Sequence, residues 1–154
     1  MKKILLFNPP SGLRVYSKSK VRAVIPKLPS MSLAMVAGSV LEEGADVKII
    51  DLILYDSQEA KVVTRQEIIQ FKPDIVGVTA TTPLFYEAGQ ISDVAKSILK
   101  GIVTVLGGPH ASSLPADCLK ESSFDIVVVG EGEKVIKEIV NGINVKGAKG
   151  NEKS

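Results

Sequence analysis

Small and hydroxyl-bearing residues follow four apolar runs of this sequence, each at the point where the run ends. The four segments are NPPSG at residues 8–12, TATTP at 79–83, GGPH at 107–110 and GEGE at 130–133. Glycine lets a ligand approach backbone N–H groups closely, and serine or threonine hydroxyls add further hydrogen-bond donors. These residue types suit the noncovalent binding of a large, extended ligand.

Familiar catalytic and metal sites lack their residues here. The chain has one histidine, His110, and one cysteine, Cys118, which excludes an internal disulfide and a multi-cysteine metal site. The sequence contains no Gly-x-Ser-x-Gly turn, no Gly-x-Gly-x-x-Gly fingerprint and no Gly-x-x-x-x-Gly-Lys-Ser/Thr phosphate loop. A phosphoryl-accepting receiver domain needs acidic residues after its first and third strands, where this chain has Asn8 and Thr79. Cys118 is expected to be a small apolar residue of a helix.

The composition describes one ordinary globular domain. The 154 residues are 45% hydrophobic and 23% charged, with a net charge of +2. The charge is too small and too evenly spread to indicate nucleic acid or an anionic membrane as a partner. The sequence has no apolar run long enough for a bilayer span, and its apolar start is broken by Pro9 too early for a signal peptide. We therefore expect a cytoplasmic location.

Five apolar runs alternate with stretches of helical periodicity. Strands are predicted at residues 3–7, 46–51, 74–79, 102–106 and 125–129, and helices at 32–44, 64–72, 84–101, 115–122 and 133–142. The second helix is expected to begin at a capping Thr64 with Glu67 three residues on. Continuously apolar strands are typical of a parallel sheet covered on both faces. The pattern predicts an α/β, flavodoxin-like (Rossmann-like), doubly wound five-stranded sheet in the order 2-1-3-4-5.

Two segments lie outside this alternation. Residues 11–30 form a long polar connection, and connections of that length are usually functional or mobile. Residues 144–154 are rich in glycine and lysine and are expected to be a disordered tail or the start of a linker.

Each rim segment also has an ordinary structural explanation. Glycines end strands in many α/β proteins, Thr79–Thr82 could cap a helix, and the prolines could simply stop a strand. Glu131 and Glu133 would be favoured at a helix start by its dipole whatever the function. The combination is more specific than any one segment.

Together the segments resemble a known family. NPP after the first strand, the run SMSLAMVAGSVLEEGADVKIIDL, FKPDIVGVTATTP, VLGGPHAS and FDIVVVGEGE are similar to the cobalamin (vitamin B12)-binding domain at the N-terminus of cobalamin-dependent radical S-adenosylmethionine (SAM) enzymes. The likeness covers about residues 3–142, and the expected domain is residues 1–143.

The resemblance implies a corrinoid across the carboxyl edge of the sheet, with its nucleotide tail threaded between sheet and helices. The wider family's Ser-x-Leu and Gly-Gly elements map to Thr79–Thr81 and to Gly107-Gly108. The implied cofactor-binding residues are Asn8, Pro9, Pro10, Ser11, Gly12, Ser30, Ser32, Leu33, Thr79, Ala80, Thr81, Thr82, Gly107, Gly108, Pro109, His110, Gly130, Glu131 and Gly132. A valine at Gly108 is expected to block the tail while leaving the fold intact.

Two departures refine the expectation. The first loop lacks the Asp-x-His-x-x-Gly element of methionine-synthase-like members, so no imidazole from this loop would reach cobalt, and His110 is expected to cap a helix or contact the tail. A radical SAM enzyme also needs a three-cysteine motif for its iron-sulfur cluster, which Cys118 alone cannot supply. The cluster and S-adenosylmethionine would therefore belong to a radical SAM domain in cis or in trans, and this chain would be either a fragment or a stand-alone carrier.

The sequence thus predicts a domain that binds cobalamin and positions it, typically for methyl transfer, without catalysing a reaction alone. Alternatives of other classes are a flavin- or nucleotide-binding module and a receiver-like interaction domain, since a fold does not fix a function.

Overall fold

A parallel five-stranded sheet forms the centre of the structure, a computed structural model that describes residues 1–11 and 30–142. The strands are β1 (Lys3–Asn8), β2 (Asp46–Asp51), β3 (Ile75–Thr79), β4 (Val103–Gly107) and β5 (Ile126–Val127). Their order is β2-β1-β3-β4-β5, and all four pairings are parallel. The predicted flavodoxin-like architecture is confirmed.

Helices cover both faces of the sheet. They are α1 (Met31–Leu41), α2 (Ser57–Phe71), α3 (Phe85–Ile98), α4 (Pro109–Ser113), α5 (Pro115–Glu121) and α6 (Gly132–Val140), with a 3₁₀ helix at Thr82–Leu84. The predicted tail and most of the predicted 11–30 connection lie outside the described residues.

Alternation along the strands divides the core into two layers. On one face, Leu5, Phe7 and Val76 pack with apolar residues of α2 and α3. On the other face, Leu6 and Val105 pack with apolar residues of α1 and α6. Successive strand residues point to opposite faces, so burial on both sides requires the continuous apolar runs seen in the sequence.

Helix α2 begins earlier than the sequence pattern predicted. The Asp56 side chain caps it by accepting hydrogen bonds from the backbone N–H groups of Gln58 and Glu59. In return, the Glu59 side chain accepts a hydrogen bond from the Asp56 N–H. This reciprocal capping box satisfies N–H groups that a helix start leaves free. The prediction that Thr64 caps the helix is therefore wrong; Thr64 is a buried mid-helix residue.

Other elements also differ from prediction. The short helix α4 directly after β4 was not predicted, and it begins at Pro109, whose missing N–H is tolerated at a first helical position. Helix α3 ends at Ile98, whereas the sequence pattern predicted an end at residue 101. Strand β5 has only two residues instead of five, and it pairs with β4 alone.

A polar network fixes the start of the short strand β5. The buried Thr104 donates its backbone N–H and its hydroxyl to Asp125 Oδ2 at 2.9 and 3.0 Å, and Lys96 Nζ donates to Oδ1 at 2.6 Å. Partial burial acts to raise the pKa of Asp125, but the hydrogen bonds from Lys96 and Thr104 outweigh it and hold that pKa below its usual value.

The lowered pKa of Asp125 predicts an acid-sensitive contribution to stability. The contribution is complete above the unfolded-state pKa of about 3.9 and is lost as the pH falls through the lower folded-state pKa. Asp125→Asn should lower the free energy of unfolding at pH 7 by about 1–2 kcal/mol, since hydrogen bonds to a charged group are lost from a partly exposed site. Urea denaturation between pH 2 and 7 measures both effects. Asp93→Asn, at an exposed position of α3, is the control, and identical pH profiles for wild type and Asp125→Asn would contradict the assignment.

Candidate ligand cavity

A cavity of about 260 Å³ opens at the carboxyl end of the sheet, on the face covered by α1 and α6. Ligands of open parallel sheets bind outside the carboxyl ends of the strands. The cavity lies at that edge and reaches inward between the sheet and the two helices.

The sheet forms an apolar floor with missing side chains. Leu6, Val105 and Val128 supply the apolar surface, while Gly77 in β3 and Gly107 in β4 contribute no side chain. Gly77 pairs with Leu6, and a Cβ at Gly77 would lie 2.7 Å from Leu6 Cδ2. The Leu6 side chain therefore extends over Gly77. The cavity is deeper here than it would be if β-branched side chains stood at the two glycine positions.

Gly107 and Gly108 play different parts. A Cβ on Gly107 would meet no described atom within 4 Å, so this glycine leaves space in the cavity. Gly108 has φ +96°, and a Cβ there would lie 2.7 Å from Thr79 Oγ1 and 2.9 Å from the Ala80 carbonyl oxygen. Only glycine adopts this backbone readily. The expectation that Gly108→Val leaves the fold intact is therefore wrong, because the added atoms would strike the end of β3.

Substitution of Gly108 should therefore destabilise the protein. Gly108→Ala should lower the free energy of unfolding by about 1–3 kcal/mol, as expected for a strained left-handed residue in a close contact. Gly107→Ala, at the adjacent residue with open space, should change it by less than about 0.5 kcal/mol. Urea denaturation compares the two variants. Equal destabilisation would show that the close contact at Gly108 does not set the turn.

His110 holds the segments after β3 and β4 together. Its backbone N–H donates to the Ala80 carbonyl oxygen at 3.1 Å, and its Nδ1 lies 3.0 Å from Thr82 Oγ1. Its buried ring packs on Phe85 with 4.5 Å between ring centroids. His110 is the second residue of α4 and does not line the cavity, so it fixes the position of the Thr79–Thr82 segment from behind.

The helices close the opposite wall. From α1 come Ser32, Leu33 and Val36, and from the start of α6 comes a run of four residues at 130–133. The Gly130 N–H donates to Ser112 Oγ at 3.0 Å, which ties this run to α4. A Cβ on Gly132 would approach Val36 Cγ2 to 3.3 Å, so the missing side chain lets α6 pack closely on α1.

The structure brings together eight of the nineteen residues expected from the sequence. The cavity-lining members of that set are Ser32, Leu33, Thr79, Gly107, Gly108, Gly130, Glu131 and Gly132. Around them lie Ser30, whose Oγ is 3.0 Å from Ser32 Oγ, the buried Ala80, the exposed Thr81 and Pro109, and the paired Thr82 and His110.

The first loop lies apart from the cavity as far as the structure describes it. Asn8 donates its side-chain N–H to Asp51 Oδ1 at 3.0 Å, and Pro9 is buried. Pro10 lines a separate small cleft between α2 and α3, on the other face of the sheet. Ser11 does not line the cavity, and Gly12 lies outside the described residues.

Seven lining residues were not in the set of expected binding residues, although Glu133 belongs to the rim segment at 130–133. They are Leu6, Val36, Gly77, Val78, Val105, Val128 and Glu133. Gly77 carried a usable signal, because a glycine inside a run of β-branched residues often marks a close approach. The apolar members carried none, since strand residues of the cavity floor and of the core are of the same types.

The described part of the chain offers little support for a metal site, a reactive cysteine or a membrane-spanning helix. Within residues 1–11 and 30–142 no group of three or more His, Cys, Asp or Glu side chains could hold a metal ion. Cys118 is buried in α5 as predicted, and its burial raises the pKa of the thiol, which therefore stays protonated at neutral pH. None of the described helices is long and apolar enough to cross a bilayer.

Fold and cavity together define a flavodoxin-like α/β domain with an open cavity between its sheet and two of its helices. Residues 21–140 match the model of the B12 binding domain family. The chain belongs to this family, as the sequence resemblance predicted.

Curated relatives extend this likeness. The chain is 39% identical over 147 residues to an uncharacterized methyltransferase of Pyrococcus horikoshii, covering 92% of the chain and 29% of the relative. It is 39% identical over 118 residues to the anaerobic magnesium-protoporphyrin IX monomethyl ester cyclase of Rubrivivax gelatinosus, covering 75% of the chain and 21% of the relative. It is 26% identical over 147 residues to the cytidylyl-2-hydroxyethylphosphonate methyltransferase of Streptomyces wedmorensis, covering 85% of the chain and 26% of the relative. The chain thus spans less than a third of each relative's length.

Proposed function

We propose that this chain binds cobalamin noncovalently, with the corrin ring across the carboxyl edge of the sheet and the nucleotide tail in the cavity beside Gly107. The observation that carries the proposal is the glycine-floored cavity between the sheet and helices α1 and α6. It opens where the residues after β3 and β4 meet, and it belongs to a domain of the B12-binding family.

The size and lining of the cavity fit the benzimidazole end of the tail. An apolar protein cavity of about 150 Å³ is large enough for benzene, so a cavity of about 260 Å³ accommodates a fused two-ring system. Leu6, Val105 and Val128 offer apolar surface to its faces, and the Thr79 hydroxyl can donate to a ring nitrogen. The residues present therefore fit the group.

The chain's own residues would bind, orient and shield the cofactor. The apolar floor would exclude water from the tail, and Gly107 would let it pass close to β4. His110 is engaged by Thr82 and Phe85, so we do not assign it as a cobalt ligand. When bound, cobalamin supplies a cobalt centre that can carry a methyl group.

We further propose that the complete system is a radical SAM enzyme of the methyltransferase or related type. Two of the relatives are named as methyltransferases and one as a cyclase. Iron-sulfur cluster and S-adenosylmethionine would be bound by a radical SAM domain in cis or in trans, since this chain has a single cysteine. This chain would position the corrinoid and would not catalyse the reaction alone.

Binding of hydroxocobalamin tests the central proposal. The purified protein, mixed with hydroxocobalamin and passed through a desalting column, should retain the corrin absorption at about one equivalent. The visible spectrum should change on binding, because a benzimidazole held in the cavity no longer coordinates cobalt. Absence of retention and of any spectral change during titration at high cofactor concentration would contradict the proposal, as would retention of flavin absorbance instead.

Gly107→Val tests the path of the tail. The valine should fill the space beside β4 and weaken cobalamin binding at least about tenfold, or about 1.4 kcal/mol. It should leave the fold intact, because valine is favoured at a strand position and meets open space.

Gly38→Val is the matched control for Gly107→Val. Gly38 lies on the exposed side of α1, away from the cavity, and a Cβ there also meets no described atom within 4 Å. Binding titrations followed by absorbance, with thermal unfolding as a check on folding, compare the two. Unchanged affinity in a folded Gly107→Val protein would remove Gly107 from the site.

A further inference from the structure

Thr64 places a hydroxyl in the apolar layer between the sheet and helices α2 and α3. The residue is 1% exposed and lies between Ala60 and Ile68 on the buried stripe of α2. Its Oγ1 has no hydrogen-bond partner in the part of the chain that the structure describes. It does not even bond to the carbonyl oxygen of Ala60, one turn earlier, as a mid-helix threonine often does.

A buried hydroxyl without a partner is costly to a folded protein. Burial removes the hydroxyl from water, and only a new hydrogen bond offsets that loss. Valine has nearly the same shape as threonine and would avoid the loss. Buried polar side chains therefore almost always have a partner, which is either a protein group or an ordered water molecule. The hydroxyl of Thr64 points to a partner of the second kind.

The cleft that Thr64 lines has the size of one water molecule. This is the small cleft between α2 and α3 that also contacts Pro10, on the face of the sheet opposite the large cavity. Its volume is about 10 Å³, which is close to the smallest volume that holds a water. A larger polar ligand would not fit without separating the two helices.

Polar groups of α3 line the other side of this cleft. Glu87 and Gln90 lie there, one turn apart along the helix. Glu87 Oε1 already accepts a hydrogen bond from Ser57 Oγ of α2 at 2.8 Å, so one polar bond crosses between the helices at this point. The Gln90 side-chain amide can both donate and accept. A water molecule needs two to four polar partners, and Thr64 and Gln90 offer one from each helix.

We infer that a single long-lived water molecule occupies this cleft and bridges the Thr64 hydroxyl of α2 to the Gln90 amide of α3. The water is a fixed part of the interface between the two helices. It lies beside Pro10, where the first loop leaves the sheet, so it helps to hold both helices at the base of that loop. The site is separate from the proposed cobalamin cavity, and neither proposal depends on the other.

Magnetic relaxation dispersion of the water signal tests the inference, because it counts the water molecules that stay bound longer than the protein tumbles. Thr64→Val keeps the shape of the side chain but removes the hydroxyl, so the count should fall by one relative to the wild type. Thr64→Ser keeps the hydroxyl and removes the methyl group, so it should retain the wild-type count. Thermal unfolding checks that each variant folds, and Thr64→Val should lower the melting temperature by about 2–4 °C.

Gln90→Leu provides a second test from the other helix, and it should also lower the count by one. Equal counts in the wild type and in folded Thr64→Val would overturn the inference, as would loss of the water in folded Thr64→Ser. An unchanged count in folded Gln90→Leu would overturn the bridge to α3. If Thr64→Val does not fold, the counts of Thr64→Ser and Gln90→Leu decide the matter in the same way.

Discussion

The close contact between the segments that follow β3 and β4 determines the geometry of the carboxyl edge where the cavity opens. Beyond the ends of the strands, the Ala80 N–H donates to the Gly107 carbonyl oxygen and the His110 N–H donates to the Ala80 carbonyl oxygen, both at 3.1 Å. Gly108 makes this approach possible through its left-handed backbone and its missing side chain. The two segments are thereby joined as if the ladder continued, and Thr79 and Gly107 reach the cavity at fixed positions.

The two faces of the sheet are packed for different purposes. On the side of α2 and α3, buried side chains fill the space, as the contacts of Phe7 and Ile68 illustrate. On the side of α1 and α6, apolar packing is complete near Ile4 and Ile75, but glycines replace larger residues toward the carboxyl edge. Filled packing at one end of a layer and missing side chains at the other let the domain keep a packed core beside a cavity.

The sequence was sufficient to predict the sheet, because continuous apolar runs and turn residues repeat at the spacing of βαβ units. It was less reliable for the first residue of a helix. Thr64 and Glu67 have the spacing of a capping box, but in the structure Asp56 and Glu59 form the capping box of α2. The difference depends on which residue takes the extended cap conformation, and spacing alone does not reveal that.

Sequence reasoning found residues that line the cavity where position along a strand decides the outcome. The rim glycines and Thr79 were found because they follow strands of a parallel sheet. The separate roles of Gly107 and Gly108 depend on the φ angle of Gly108 and on the atoms of Thr79 and Ala80 that face it. The residue types next to the two glycines in the sequence do not reveal either. Pro10 follows β1 like the other rim residues but lies toward α2 and α3, since the chain turns to the other face there.

The brevity of β5 has a dynamic consequence. Val128 is still held to Leu106 through its N–H at 2.8 Å, but beyond it Gly130 is attached through the Ser112 hydroxyl. Free energies of local opening are lowest where few backbone bonds and few buried contacts must be broken. We therefore expect the backbone beyond Val128 to open locally more readily than β1 and β3, on a timescale far shorter than that of global unfolding.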